Sequence, residues 1–512
     1  MATASMKSSA DLDRRALLIL AAASAFSLGL YLAASAFTLR HLDRLDVPLG
    51  FPLDDSWIHL TYARNLALRG EWAFLPGVPS AGSTAPLWSA LLAIGFPWRR
   101  PPGQVLLRLA PYAWTYFLGG LLLFALATLA EISARRLLAS YRPRVPLIGL
   151  FFAFEWHLVW SAGSGMETLL HASLVTMVLV LLTDPSPRPL TLGLLAALSV
   201  WARPDGLTLL GPALLTLSLR ERRVSSLTRF FIGFGFLFGL YLLFNLMLSG
   251  HPFPNTFYAK QAEYAAWQAK PLLEKLGLTS LQIFTGPSLV LLPGVIIWLA
   301  QSVRERAWGT LAGMLWFAGY VLLYALRLPP YQHGRYLMPA MPMLLLWGLL
   351  GAARTFEKTA TRPMVRLMRV AWAAVIVCVS VGFVGLGAKS YAQDVALIES
   401  EMVATAKWVD ANLPPDALVA AHDIGALGYF DHHPLIDLAG LVSPEVIPFL
   451  RDEARIADYL DRRGAEYFVA FPSLYPELAA RSELVFSTGG QVSPTLGGEN
   501  LSVYRWVSNG AH

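Results

Sequence analysis

The 512-residue chain has few charged residues and a single cysteine. Only 14% of its residues are Asp, Glu, Lys or Arg, about half the share usual in soluble proteins. The lone Cys378 excludes an intrachain disulfide and a cysteine-based zinc site. In contrast, 55% of the residues are hydrophobic and the mean hydropathy is +0.50. A soluble fold of this size cannot bury so much apolar surface, so the composition excludes a soluble enzyme, a disordered chain and a secreted disulfide scaffold.

The charges that are present are unevenly distributed. Residues 1–388 contain 32 Lys and Arg against 17 Asp and Glu, whereas residues 389–512 contain 8 against 17. The basic residues lie in short loops between apolar runs, which is the pattern of the positive-inside rule and not of a nucleic-acid surface. We therefore divide the chain into a transmembrane domain over 1–388 and an extracytoplasmic domain over 389–512, called the tail.

A helix needs about 20 apolar residues to cross a bilayer. Eleven runs meet or approach this length, and they are 16–37, 107–130, 145–161, 165–183, 189–201, 204–219, 229–249, 281–301, 308–326, 336–353 and 366–388. The region 189–219 is interrupted by Arg203-Pro204-Asp205-Gly206, so it forms either two short spans or one broken helix. A further apolar stretch at 85–98 is a candidate for a twelfth or re-entrant segment.

One arginine cluster precedes the first span, and further clusters follow alternate spans after it. They occur at 14–15, 135–144, 220–229, 304–306 and 354–369. The positive-inside rule then places the N-terminus in the cytoplasm. The loops 38–106, 250–280 and 327–335 and the tail lie outside. The first apolar run exceeds 20 residues, longer than the apolar region of a signal peptide, so we expect an uncleaved membrane anchor.

The tail has the pattern of a soluble α/β domain. Helical patterns cover 397–412 and 453–463, and strand-like runs cover 417–421, 434–438, 467–471 and 501–506. Strands that alternate with helices predict a partly parallel sheet.

The first outer loop carries two adjacent carboxylates, Asp54 and Asp55, in front of a helical stretch that ends near Gly70. Trp57 and Arg64 share one face of that helix. Asp55 is a candidate N-cap, which leaves Asp54 unexplained. Adjacent carboxylates repel each other unless a cation, a donor or a metal meets them. A carboxylate beside an acceptor hydroxyl can act as a general base in group transfer.

Further motifs follow the carboxylates in order along the chain. They are Ser83-Thr84-Ala85-Pro86-Leu87-Trp88, Gly165-Met166-Glu167-Thr168, Arg203-Pro204-Asp205-Gly206, Pro254-Asn255-Thr256-Phe257-Tyr258-Ala259-Lys260, Gly334-Arg335-Tyr336, His422-Asp423-Ile424-Gly425-Ala426-Leu427-Gly428-Tyr429 and Asp437-Leu438-Ala439-Gly440-Leu441. The set resembles the GT-C superfamily of membrane glycosyltransferases. It is similar to bacterial relatives of the mycobacterial terminal arabinofuranosyltransferase. The chain departs from the mycobacterial pattern at Ser56-Trp57-Ile58-His59, which leaves the sugar open.

The resemblance implies transfer of a sugar from a polyprenyl-phosphate donor to an envelope glycan, glycolipid or protein at the outer face of a bacterial cytoplasmic membrane. It implies Asp54 as the catalytic base. Asp55 then positions the acceptor, helps to bind a divalent cation such as Mg or Mn, or caps the helix. Either carboxylate can be the base, and we prefer Asp54 because Asp55 has the competing capping role.

A lipid-phosphate leaving group needs cationic partners, and arginine suits it because its planar fork donates two parallel hydrogen bonds. The candidates for donor phosphate or substrate binding are Arg64, Arg203, Lys260, His333 and Arg335. The candidates on the acceptor side are Trp57, His59 and Asp423.

Structural roles compete with several of these assignments. Arg203 can instead pair with Asp205, since intramembrane charges commonly pair with each other. Arg335 can simply extend toward the interface, Lys260 can be solvated, and Trp57 can pack against the helical body. The sequence also places Glu167 and His171 on one helical face, where they are expected to pair.

Two other function classes fit parts of the sequence. A transporter or flippase of lipid-linked sugars is favoured by the interrupted region 189–219, because discontinuous helices mark transport sites. It leaves the first-loop carboxylates without a role, and the two halves of the chain show no repeat. A receptor or scaffold whose tail binds an envelope partner leaves the same carboxylates unexplained.

Overall fold

The computed structural model describes residues 12–40, 49–96, 104–357 and 362–508, so parts of the predicted loop 38–106 lie outside the described residues. Within these ranges, seven helices are long and apolar enough to cross a membrane. They are Arg14–Leu39, Leu109–Leu137, Val224–Ser249, Pro287–Arg304, Trp308–Arg327, Tyr331–Glu357 and Pro363–Asn412. The prediction of a multi-pass helical membrane protein is confirmed.

The remaining predicted spans coincide with shorter or broken helices. These are Leu147–Phe154, Trp156–Gly163, Thr168–Leu181, Pro189–Ala202 and Leu210–Arg220, with a 3₁₀ turn at Pro204–Leu209. The backbone is extended at Glu155 (φ −67°, ψ 122°) and at Arg203 (φ −160°, ψ 141°). The break at Arg203 has a local cause, because a residue before proline avoids the helical conformation. In the described part of the predicted stretch 85–98, which ends at residue 96, the chain forms the eight-residue helix Pro86–Ala93, which is too short to cross a bilayer.

Shorter helices and turns complete the membrane body and join it to the tail. They are Asp55–Arg69, Asn255–Glu263, Ala265–Gln268, Leu272–Phe284, a 3₁₀ turn at Met338–Ala340 and Met341–Glu357. The helix Pro363–Ile398 runs through residue 388 and continues by a π-helical turn, Glu399–Val403, into Ala404–Asn412. The predicted boundary therefore falls inside a continuous helical segment.

The described part of the tail contains a five-stranded sheet. Its strands are β1 (Val419–Ala421), β2 (Leu435–Asp437), β3 (Tyr467–Ala470), β4 (Glu483–Ser487) and β5 (Ser502–Arg505). They lie in the order β2-β1-β3-β5-β4. β1 is parallel to β2 and β3, whereas β5 is antiparallel to β3 and β4. The partly parallel sheet is as predicted, but the edge strand β4 was missed because it is half exposed and lacks the buried apolar run of the others.

Helices surround this sheet. They are Gly425–Phe430, Glu453–Arg463, Pro476–Ala480 and Val492–Thr495, with 3₁₀ turns at Pro444–Phe449 and Pro472–Leu474. The helix Glu453–Arg463 has the predicted bounds.

The first-loop helix (Asp55–Arg69) docks against the tail helix (Gly425–Phe430). At the start of the tail helix, the carboxylate of Asp54 accepts hydrogen bonds from the backbone N–H groups of Gly425, at 2.7 Å, and of Ala426, at 2.8 Å. These N–H groups belong to the first turn, where a helix leaves donors without internal partners. A loop carboxylate therefore satisfies backbone groups of the tail.

The other end of the tail helix is held by Arg64. Its guanidinium donates to the backbone carbonyl of Gly428, at 3.0 Å, and to that of Tyr429, at 2.6 Å. At the same end, the fully buried Trp57 packs in a tilted arrangement against Tyr429 and edge-to-face against Phe430, with ring centroids 4.9 and 4.7 Å apart. One loop helix thus holds both ends of a tail helix, and this contact fixes the tail over the membrane body.

We expect Gly425→Ala to weaken this docking. A Cβ atom at Gly425 would lie 2.0 Å from the backbone oxygen of Asp54, and backbone cannot move aside as a flexible side chain can. The substitution should lower the free energy of unfolding by about 1–3 kcal/mol, which would appear as a lower Tm and faster limited proteolysis of the tail. Gly490→Ala is the matched control, because its nearest neighbour atom is 3.8 Å away. Equal proteolysis rates in the two variants would contradict the docking model.

Candidate active site

A continuous cavity opens beside the first-loop helix. Its inner chamber has a cavity volume of about 40 Å³ and is lined by the charged or titratable residues Asp55, His59, Glu167, Arg203, Lys260 and Arg335. Its outer chamber has a cavity volume of about 260 Å³ and contains the apolar residues Leu207, Phe253, Phe257, Leu323 and Leu328. Both chambers share Thr84, Arg203, Pro204, Thr256, Lys260 and Tyr336, so they form one space. One end is charged and the other is largely apolar.

Asp55 faces the inner chamber, whereas Asp54 faces the tail, because successive residues of a helix point about 100° apart. Asp55 is the first helical residue, and Asp54 occupies the N-cap position without a side-chain cap to its own helix. The predicted capping role of Asp55 is therefore wrong. Its carboxylate instead lies 2.6 Å from the guanidinium of Arg335. With 34% of its side chain exposed, Asp55 remains accessible from the cavity.

The two carboxylates have opposite electrostatic environments. Burial pushes the pKa of Asp55 upward, but Arg335 and Lys260 outweigh it and hold that pKa below its usual value. Burial and the nearby Asp423 raise the pKa of Asp54 to about 7, despite its hydrogen bonds from the tail backbone. Burial also raises the pKa of Asp423. Asp55 is thus ionised at neutral pH, whereas Asp54 titrates near it.

Arg335 is 7% exposed and has unused hydrogen-bonding capacity. Its Nη2 donates to Asp55 and to the hydroxyl of Tyr336, at 2.8 Å. Its Nε and Nη1 groups are buried without a hydrogen-bond partner among the described residues. Unsatisfied buried donors are costly, and more so when charged, so these two N–H groups are suited to an anionic ligand.

Lys260 differs from Arg203 in its charge balance. The Nζ of Lys260 donates to the hydroxyl of Tyr336, at 3.0 Å, and no carboxylate in the described chain forms an ion pair with it. Arg203 pairs with Glu167, at 2.8 Å, and with Asp205, at 3.1 Å. The alternative in which Arg203 pairs with Asp205 is therefore observed. Lys260 therefore keeps a positive charge that no ion pair neutralises and that a ligand in the cavity can meet.

Glu167 and His171 do not pair, contrary to the prediction. Glu167 precedes the helix Thr168–Leu181 and lies 3.2 Å from the Nε2 atom of His59. His171 instead contacts the hydroxyl of Ser199, at 3.0 Å, and Asp205, at 3.5 Å. Both side chains are buried, and each contacts residues of other segments of the chain. The spacing of Glu167 and His171 along one helix does not reveal these contacts.

The structure does not bring every predicted site residue to the cavity. The Nε2 atom of His333 lies 2.8 Å from Asp394, between Trp156 and Trp160, and His333 does not line either chamber. Arg64 and Trp57 belong to the contact with the tail. Asp55, His59, Arg203, Lys260 and Arg335 do line the inner chamber.

Two cavity residues were not singled out by the sequence analysis. The hydroxyl of Tyr336 contacts both Lys260 and Arg335, and its ring lies beneath both cations, at 5.1 and 4.8 Å. Thr256 lines both chambers, and its buried hydroxyl has no partner among the described residues. The spacing of Thr256 and Lys260, four residues apart on a helix, was the available signal.

The described residues contain no ready-made cluster of metal-binding side chains. Within the described ranges, no three His, Cys, Asp or Glu side chains cluster closely enough to hold a metal ion. Asp54 and Asp55 diverge toward the tail and the cavity. The divalent cation stays a prediction.

Comparisons with known proteins identify the fold. A family model described as a domain of unknown function, DUF8728, matches residues 388–504, and no curated protein matches the sequence. ArnT from Cupriavidus metallidurans, solved bound to undecaprenyl phosphate, is 13% identical over 97% of this chain and 99% of its own, with a TM-score of 0.55.

An Archaeoglobus fulgidus oligosaccharyltransferase in the apo form is 10% identical over 87% of this chain and 70% of its own, also with a TM-score of 0.55. The same enzyme tethered to an acceptor peptide containing the NVT sequon gives 11% identity, 87% and 69% coverage and a TM-score of 0.52. The chain therefore has the same fold as ArnT and this oligosaccharyltransferase. The resemblance seen in the sequence is confirmed for the fold.

The helix that carries Lys260, Asn255–Glu263, is attached to the tail at both ends. The side-chain amide of Asn255 donates to the backbone carbonyl of Leu441, at 3.1 Å. Glu263 lies 3.3 Å from His422 and 3.0 Å from Arg451. The tail therefore contributes to the position of a cavity cation.

Because His422 contacts Glu263, we expect the attachment of the helix Asn255–Glu263 to the tail to depend on pH. Burial lowers the pKa of His422, but Glu263 and Asp423 outweigh it and raise that pKa above its usual value. A raised histidine pKa stabilises the fold below the unfolded pKa of about 6.5, and this stability is lost as pH rises through the folded pKa. We therefore expect the Tm advantage of the wild type over His422→Gln to shrink as the pH rises above about 6.5. A difference that stays constant over this rise would contradict the account.

Proposed function

We propose that this protein is a membrane glycosyltransferase that moves a sugar from a polyprenyl-phosphate donor to a hydroxyl acceptor. The observation that carries the proposal is the cavity. Its inner chamber places an accessible carboxylate beside cationic donors with unused capacity, and its outer chamber is apolar. A lipid-linked sugar phosphate has the same division into an anionic head and an apolar chain.

The donor phosphate would occupy the space beside Arg335 and Lys260. The free Nε and Nη1 groups of Arg335 can donate a pair of hydrogen bonds to phosphate oxygens, which is the geometry that guanidinium favours. Lys260 adds uncompensated charge, and Thr256 offers an unpaired hydroxyl. The prenyl chain would then follow Phe253 and the other apolar residues of the outer chamber. The bound undecaprenyl phosphate of the similar ArnT structure supports this class of donor.

We assign the role of general base to Asp55. The sequence preference for Asp54 depended on a capping role of Asp55 that the structure lacks, and both oxygens of Asp54 accept hydrogen bonds from the tail helix. Asp55 lies on the cavity side, and its lowered pKa keeps it ionised at neutral pH. Arg335 contacts Asp55 through Nη2 and has its other N–H groups free, so one guanidinium can adjoin both the base and the leaving phosphate.

The reaction is a displacement at the anomeric carbon. The acceptor hydroxyl gives its proton to Asp55, and its oxygen forms a bond to that carbon. The bond from the carbon to the phosphate oxygen breaks, and the lipid phosphate leaves with the electron pair. Arg335 and Lys260 stabilise the negative charge that develops on the leaving oxygen. No step requires a protein-bound metal.

The acceptor would approach from the tail, where Asp423 lies near the two carboxylates, and His59 lines the chamber below. An envelope glycan, glycolipid or protein fits this position, and the oligosaccharyltransferase solved with a tethered acceptor peptide supports acceptor entry in this fold. Arabinofuranose is the sugar that the sequence resemblance implies. We place the protein in a bacterial cytoplasmic membrane, with its N-terminus in the cytoplasm and its tail outside.

The test is sugar transfer by purified protein in lipid, with labelled polyprenyl-phosphate sugars and an envelope extract. Asp55→Asn should lower transfer by at least about 100-fold, because it removes the proton acceptor and keeps the shape. Asp54→Asn should act mainly through the tail, with a smaller loss of rate and a lower Tm. Asp416→Asn, an exposed tail position, is the matched control. Each variant is also assayed with EDTA, which tests a divalent cation delivered with the substrate.

Two outcomes would overturn these assignments. Full activity of Asp55→Asn beside an inactive but folded Asp54→Asn would move the base to Asp54. If the wild type transfers no sugar from any donor but binds the labelled lipid or moves it across the bilayer, the enzyme proposal fails. The break at Arg203 would then favour a transporter.

Lys260 and Arg203 should respond differently to loss of charge. Lys260→Gln should weaken donor use with little change in Tm, because no carboxylate is left unpaired. Arg203→Gln should lower the stability by about 3–5 kcal/mol, because it leaves Glu167 and Asp205 buried without their cation. The comparison of KM for the donor with Tm in both variants checks this. Equal destabilisation of the two would contradict the assignment of Lys260 as the free cation.

A further inference from the structure

The short turn in front of Arg335 has an unusual backbone conformation. Gln332 (φ 52°), His333 (φ 58°) and Gly334 (φ 69°) are three consecutive residues with left-handed φ angles. Glycine adopts this region freely, whereas other residues are strained there and stay in it only where their surroundings hold them. The conformation of Gln332 and His333 therefore needs contacts from other parts of the chain.

The side chain of His333 makes such contacts. Its Nε2 atom lies 2.8 Å from the carboxylate of Asp394 and 3.3 Å from the hydroxyl of Ser390. Its ring packs edge-to-face against both Trp156 and Trp160, with ring centroids 5.6 and 5.5 Å apart. A carboxylate and two indole rings thus hold the imidazole, and through it they hold the backbone of the turn.

Asp394 is itself held in place. Its Oδ2 atom, which contacts His333, also accepts a hydrogen bond from the indole N–H of Trp160, at 2.9 Å. Asp394 lies four residues before the end of the helix Pro363–Ile398. Among the described residues, His333 is the one basic side chain that forms an ion pair with Asp394. The contact therefore connects the turn to the helical segment that continues into the tail.

The turn determines where the side chain of Arg335 points. Arg335 directly follows Gly334 and returns to the right-handed helical region (φ −48°, ψ −33°), and its backbone N–H donates to the carbonyl of Gln332, at 3.2 Å. Its guanidinium then reaches the carboxylate of Asp55, at 2.6 Å. Such contacts tolerate little displacement, and a shift of about 1 Å near a reacting group can cost about 100-fold in rate.

We propose that His333 and Asp394 are positioning residues that hold Arg335 in its contact with Asp55. Neither residue lines either chamber of the cavity, so they act through Arg335 and do not touch a substrate. The consequence for donor binding rests on the proposed function, in which the two unpartnered N–H groups of Arg335 bind phosphate. Loss of the His333–Asp394 contact should therefore release the turn and weaken donor binding together.

The first experiment measures the turn in the absence of any donor. Hydrogen exchange of the full-length protein in detergent is followed by mass spectrometry for peptides that cover 331–337, where backbone N–H groups donate to carbonyls of the turn. Asp394→Ala should speed the exchange of these amides by at least about tenfold, because the turn opens locally. Asp410→Ala is the matched control, since it removes a similar contact with the exposed His432, at 2.7 Å, and should leave this exchange unchanged.

Two further variants keep the test decisive if Asp394→Ala folds poorly. Asp394→Asn retains an oxygen that can accept hydrogen bonds from His333 and Trp160, so it should restore slow exchange. His333→Asn removes the imidazole but keeps a residue type that tolerates the left-handed region, so it should exchange as fast as Asp394→Ala. A melting curve of each variant separates opening of the turn from loss of the fold.

The second experiment asks whether the contact acts through Arg335. Binding of polyprenyl phosphate is measured for Asp394→Ala, for Arg335→Gln and for the variant that carries both substitutions. Each single variant should bind about tenfold more weakly than the wild type, because charge-assisted hydrogen bonds to the phosphate are lost. The double variant should bind no more weakly than Arg335→Gln, whereas a purely structural effect of Asp394 would add to the effect of Arg335.

Unchanged exchange in Asp394→Ala, or additive losses of donor binding in the double variant, would overturn the proposal. If the wild type binds no polyprenyl phosphate, the proposed donor is wrong, but faster exchange in Asp394→Ala would still support the positioning role. Failure of the proposed function and failure of this inference therefore give different results.

Discussion

The contact between the first-loop helix and the tail helix decides where the rest of the site lies. Asp54 binds the start of the tail helix and Arg64 binds its end, so the loop helix has one fixed orientation. Since the next residue of a helix points about 100° away, Asp55 is directed into the cavity. A single docking contact thus gives two neighbouring carboxylates different neighbours and pKa values shifted in opposite directions. It also closes the tail over the inner chamber.

Ion pairing within the apolar membrane body explains how most of the charged side chains of the cavity are arranged. A buried ion is costly unless it is paired, so Arg203 lies between Glu167 and Asp205, and Arg335 lies against Asp55. These ion pairs neutralise most of the charge that lines the inner chamber. What remains is Lys260, which has no ion-pair partner in the described chain, and two donors of Arg335 without hydrogen-bond partners there. These are the groups that we propose bind an anion beside Asp55.

The sequence predicted the fold class, the loop helix, the partly parallel sheet and most of the charged residues that line the inner chamber. Hydropathy, helix periodicity and short motifs carry this information because each depends only on residues close together in the chain. It failed where a partner comes from a distant segment. The capping role given to Asp55, the Glu167–His171 pair and the placement of His333 were inferred from neighbours in sequence. Their actual partners are Arg335, His59 and Asp394, at separations that no local spacing reveals.

The central claim is that the inner chamber binds a lipid phosphate next to Asp55. An experimental structure of the full chain with a bound polyprenyl phosphate tests it most directly. The account predicts phosphate density within hydrogen-bonding distance of Arg335 and Lys260, with the prenyl chain along Phe253 and Phe257 in the outer chamber. Phosphate density away from both cations, with the Asp55–Arg335 pair unchanged and the outer chamber empty, would contradict it.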